Sequence, residues 1–186
     1  MFYKDFINGE VLMDGNSLLE KIVDTYRANF DVVEPYEYHG VLYDAYAGFN
    51  LTSAKYVLVK KAELWRANCF EHVFFLYRPR ITLADVEQFQ SQLLEYMEPE
   101  LVCQGEKVPK KNHMYTYLTG IFLSDEPADP EVIKVVRKLH FRKNYRFAVR
   151  GFSEERVVLF DIKNRKITGN PAAKELIKGY KKMLKS

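Results

Sequence analysis

Residues 137–152, RKLHFRKNYRFAVRGF, hold six Lys or Arg, one His and four aromatics, with no acid among them. Cations at this density can meet phosphates or carboxylates, and interleaved rings give bases or apolar groups a surface to lie on. If 145–152 is a strand, alternation sends Tyr145, Phe147 and Val149 to one side and Arg146, Ala148 and Arg150 to the other. The first set is expected in the core and the two arginines outside. Arg142 and Lys143 then occupy the preceding turn. Lys134, Arg137 and Lys138 fall at three- and four-residue spacings on a helix before it. Together the seven cations are expected to form a basic ridge about 15–20 Å long, contacting phosphates or carboxylates without reading bases.

A second chemistry is suggested by acids set inside apolar strands: Asp44 in VLYDAYAGF, Glu71 in CFEHVFFLY and Asp161 in VVLFDIK. Glu71 shares its strand face with Cys69, Val73 and Phe75, so burial there demands a partner. Strong catalytic signatures are absent. The chain has no glycine-rich phosphate loop, no HExxH and no G-x-S-x-G. Its four histidines show no metal-ligand spacing, and no metal site is expected from them. Cys69 and Cys103 are expected as buried, reduced thiols.

These residues must be positioned by regular elements. One helix is expected from a capping box at Ser17-x-x-Glu20, with Leu18, Leu19, Ile22, Val23, Tyr26 and Phe30 as its apolar stripe. A second starts at Thr82 and ends before Pro99. The third opens with Asp129-Pro130-Glu131 and the fourth with Asn170-Pro171. Strands are expected over 41–49, 55–60, 67–77, 115–123, 145–152 and 156–162, with a short one near Ile167 after a turn at 163–165. Residues 103–113, CQGEKVPKKNH, read as a loop or linker. Tyr36, Tyr38, Tyr43, Tyr46 and Phe49 are expected on a sheet face beneath the first helix; the alternative is a partner interface or ligand cleft, which Asp44 would line.

The fold class is then α+β (mixed α/β), a single domain with a central mixed sheet of about five to seven strands and about four helices. The element order is α-β-β-β-α-β-α-β-β-α. At 186 residues and 47% hydrophobic composition, the chain can bury a core without disulfides. No run approaches a membrane span and the first residues lack a signal peptide's apolar segment, so a soluble, cytoplasmic protein is expected. Residues 1–100 carry 9 Lys and Arg against 16 acids, a net −7, while 101–186 carry 19 against 9, a net +10. Such halves can attract a polyanion or one another.

Over residues 17–123 the order α-β-β-β-α-β is similar to the core of the restriction-endonuclease-like nucleases of the PD-(D/E)XK type. That resemblance implies strand carboxylates and a lysine holding Mg²⁺ that activates water against a phosphodiester. Here it would draw on Asp44, Glu63, Glu71 and Lys60, with Glu20 joining from the first helix. The third strand reads Glu71-His72-Val73, without the family's lysine, and the clean Asp161-Ile162-Lys163 falls elsewhere in the order. The implied site is therefore degenerate. Ile121-Phe122-Leu123 and Lys143-x-Tyr145-x-Phe147 resemble the strand motifs of RNA-recognition domains, but the second lacks its glycine and falls on the wrong strand. The leading expectation is a non-enzymatic binding module whose basic surface meets nucleic acid or an acidic protein, with no cofactor. A degenerate nuclease using Mg²⁺ is the first alternative. A homo-oligomer held by complementary halves is the second.

Overall fold

Val73, Phe74, Phe75 and Leu76 are all buried, which places their strand at the centre of a sheet covered on both faces. The computed structural model describes residues 6–7, 10–11, 14–56 and 63–184. In chain order it contains β1 (Phe6–Ile7), β2 (Glu10–Val11), α1 (Gly15–Arg27), β3 (Asp31–Val33), β4 (Tyr36–Tyr38), β5 (Val41–Tyr43), β6 (Ala45–Tyr56) and β7 (Glu63–Arg78). There follow α2 (Leu83–Gln92), a π-helical segment (Leu93–Val102), β8 (His113–Ser124), α3 (Pro130–Lys138), β9 (Arg142–Asn144), β10 (Phe152–Asp161) and β11 (Lys166–Gly169). A 3₁₀ turn (Pro171–Ala173) leads into α4 (Lys174–Met183).

Among the described residues the main sheet has seven strands, ordered β11-β10-β8-β7-β6-β3, with β9 on the outer part of β10. β6–β7 and β10–β11 are antiparallel pairs, whereas β7–β8 and β8–β10 are parallel pairs. Parallel neighbours need long crossovers, and α2 with the π segment and then α3 supply them. Phe74, Leu76, Leu118, Phe122 and Leu159 face this helical layer. Val73, Phe75, Ile121, Val158 and Phe160 face α1 and α4, and the small Ala45 and Ala47 let α1 approach β6. Among the described residues the fold is thus one mixed-sheet α+β unit with four α-helices. Among the described residues no helix is long and apolar enough to cross a membrane.

Several elements differ from expectation. The cap of α1 is Asp14, whose Oδ1 accepts from Ser17 N at 2.7 Å; Ser17 itself lies inside the helix. The second helix does begin at Thr82, in a capping box with Asp85. It does not stop before Pro99, because the chain widens into a π winding in which Cys103 N donates to Glu98 O, five residues back. That wider winding makes room for a proline ring and its missing N–H. Of the tyrosines at 36–46, Tyr38 and Tyr43 pack around Phe74 on the α2 side rather than beneath α1, and Tyr36 and Tyr46 lie against the same cluster. Residues 145–151 form a loop, described below.

Candidate functional site

The helix α3 is amphipathic: Val132 and Val136 are buried, and Lys134, Arg137 and Lys138 point to solvent. Across from them the β10–β11 hairpin sets Lys166 opposite Asp161. Asp161 braces the turn, accepting from Asn164 N at 3.0 Å and from Asn164 Nδ2 at 2.8 Å. The result is a cleft of about 460 Å³ between α3 and the sheet edge, floored by Ile133 and Leu159. Four cations and one carboxylate line it. Among the described residues none of those four cations makes an ion pair. Arg137 and Lys138 also lie in the last helical turn, where the helix dipole favours positive charge.

The chain then forms β9 and reverses before β10, so that Arg142–Asn144 pair with Phe152–Glu154. The expected strand over 145–152 is absent for this reason: its residues make the reversal. Arg146, Phe147 and Ala148 adopt left-handed φ values of 48°, 54° and 66°, unusual for residues with a Cβ. The loop is closed by Arg150 N to Tyr145 O at 3.1 Å and Tyr145 N to Gly151 O at 3.0 Å. His113 Nδ1 lies 2.8 Å from Arg150 O and ties the loop to β8. Gly151 sits so near β8 that a Cβ there would meet Met114 O at 2.1 Å, so glycine is required. Tyr145 is buried as expected. Phe147 and Val149 are not: they are 103% and 80% exposed, flanked by Arg146 and Arg150. Phe147→Ser is therefore expected to change the unfolding free energy by less than about 0.5 kcal/mol, measured by urea denaturation.

The remaining cations of the ridge are engaged. Arg142 donates to Glu154 Oε1 at 2.9 Å and lies 3.9 Å above the Phe152 ring. Lys143 donates to Glu98 Oε1 at 2.9 Å. Burial raises the Glu98 carboxyl, but hydrogen bonds from Tyr145, Lys143 and Cys103 outweigh it and hold its pKa below the usual value. Burial and the neighbouring Glu98 push the Cys103 thiol up to about 11, which suits a packed thiol and not a nucleophile. Among the described residues the seven cations thus divide into five without an ion pair and two that brace the fold.

The strand acids are not gathered. Asp44 Oδ2 accepts from Tyr77 N at 2.7 Å and lies 3.5 Å from Arg78 Nη1. Glu71 forms an ion pair with Arg156 of β10. Asp44 N bonds Phe75 O, four residues along β7 from Glu71, which separates the two acids by about 13 Å along the strand. Lys60 lies outside the described residues, and of Glu63 only the backbone is described. Among the described residues no three His, Cys, Asp or Glu side chains are grouped to hold a metal ion.

A family model described as domain of unknown function (DUF8052) matches residues 14–182. The chain belongs to that family. No curated protein and no solved structure is detectably similar to it. The matched span takes in both helical layers and the α3 cleft. Two residues of consequence escaped the sequence reading. The expected turn at 163–165 would set Lys166 opposite Ile162; the observed turn also takes in Ile162, which moves Lys166 opposite Asp161 and into the cleft. Arg156 alternates with Val158 and Phe160, which assigns it to the α1–α4 face, but its pairing with Glu71 depends on strand order.

Proposed function

We propose that the chain is a non-enzymatic binding module that holds nucleic acid by its phosphates, using Lys134, Arg137, Lys138 and Lys166, with Arg146 and Arg150 on the following loop. The observation that carries this reading is the α3–β11 cleft, where four exposed cations without ion-pair partners among the described residues surround a single carboxylate. Their side chains are suited to phosphates, which fix position without reading sequence. The exposed Phe147 ring offers one base a stacking partner beside two arginines.

The test is fluorescence anisotropy with a labelled single-stranded oligonucleotide of mixed sequence, titrated at several salt concentrations. Binding is expected to weaken steeply as salt rises. Lys134→Ala and Arg137→Ala should each weaken it about fivefold at low salt, equivalent to about 1 kcal/mol. Each should also reduce the slope of log K against log salt by about 0.7. Binding that ignores salt, or variants that bind like the wild type, would reject the reading. A salt-dependent mass with no oligonucleotide present would instead make a second copy the partner.

A further inference from the structure

We propose that a second cleft, on the opposite face of the sheet, binds an uncharged, mainly apolar small molecule through one hydrogen-bond acceptor, a carbonyl or ester oxygen. The cleft lies between α1 and α4 and measures about 480 Å³, a size common for small-ligand sites. Tyr26, Phe30 and Leu176 give it apolar walls, and the Glu71–Arg156 pair lies at its base. This site is independent of the cation cleft on α3.

The polar base sets the ligand's chemistry. The Arg156 side chain is 12% exposed, and its guanidinium lies 3.8 Å above the Tyr117 ring. Its Nη2 contacts Glu71 Oε1 as an ion pair without hydrogen-bond alignment, and its buried Nε has no hydrogen-bond partner among the described residues. A buried donor left unpaired is costly, and a ligand acceptor would relieve that cost. Glu71 already balances the arginine's charge. The rim adds Glu175, itself paired with Lys178 at 2.8 Å. An anionic ligand would meet Glu71 with no net positive charge to offset it, so a neutral acceptor is preferred. The Tyr26 and Tyr180 hydroxyls, 2.5 Å apart, spend one of their two O–H groups on each other, whereas the Arg156 Nε–H is spent on no partner among the described residues.

Gly179 is the independent sign that the cleft is kept open. It sits inside α4, where glycine weakens a helix relative to alanine. Its backbone is not left-handed, and a Cβ there would meet no heavy atom within 4 Å. Neither packing nor conformation demands glycine. What its missing side chain does leave is space at the cleft wall.

The experiment uses saturation-transfer NMR on the full chain at neutral pH, with methyl octanoate and the octanoate anion as paired probes. The ester is expected to bind at least tenfold more tightly than the anion. Gly179→Leu should weaken ester binding tenfold or more while melting at or above the wild-type temperature. As a readout that needs no variant, amide shifts of Thr25, Leu176 and Gly179 should move on adding the ester. No transfer to the ester at its solubility limit, equal binding of the two probes, unchanged binding by Gly179→Leu, or shifts confined to other regions would each overturn the proposal.

Discussion

Arg156→Met is expected to lower the unfolding free energy by about 3 kcal/mol or more, and adding Glu71→Leu should recover most of that loss. The two side chains are 12% and 16% exposed, so solvent screens them little. Taking two charges out of water costs nearly what their attraction returns, which makes the intact pair worth little by itself. Removing one partner is different, because the survivor stays buried without a counter-charge. Glu71→Leu alone should therefore be nearly as damaging as Arg156→Met. The double variant sets apolar chains beside Val73 and Val158, which already belong to the cluster under α1 and α4. Urea denaturation of the four proteins forms a double-mutant cycle. Single losses that simply add in the double variant would mean that the pair is solvated, and the charge argument would fail.

The same pair shows where a linear reading stops. The burial of β7 is legible because its apolar run is too long and continuous for a half-exposed strand, and α3 announces itself through Asp129-Pro130-Glu131. Glu71 could be recognised as an acid needing a partner. That the partner is Arg156, 85 positions away, follows only from β8 lying between their strands. The basic stretch fails differently. Its alternation fits a strand, but three successive left-handed residues turn it into a hairpin loop, a conformation that Arg, Phe and Ala do not announce. Which of its cations are free also depends on distant elements. Cross-strand register sets Arg142 opposite Glu154, and the π segment beyond Leu93 carries Glu98 to Lys143. Types and spacing identified a cation-rich surface; tertiary pairing selected its available members.

Glu155→Gln is expected to convert a shallow dependence of stability on pH into a rising one. Glu155 has no exposed surface; Gln90 Nε2 contacts one carboxylate oxygen and the other has no partner among the described residues. Burial pushes its pKa up from 4.5 to about 7. Between those values the folded chain keeps a proton that the unfolded chain has released, so stability falls as pH rises. His72 acts oppositely. Its Nδ1 lies 2.7 Å from the Tyr46 hydroxyl, and burial holds its pKa down from 6.5 to about 4. Between those values the unfolded chain takes up a proton that the folded chain refuses, so stability rises with pH. The windows overlap from pH 4.5 to 6.5, where slopes of about 1.4 kcal/mol per pH unit largely cancel. His113, whose pKa burial also lowers, adds to the rising side. In Glu155→Gln only the rise remains, on the order of 2–3 kcal/mol across that interval by urea denaturation. Subtracting the two profiles isolates residue 155, because every other titrating group is common to both proteins. Relative to the variant, the wild type should lose stability from pH 4.5 to about 7 and run level above it. A difference that is flat throughout would show that Glu155 ionises in the folded chain as it does in the unfolded one.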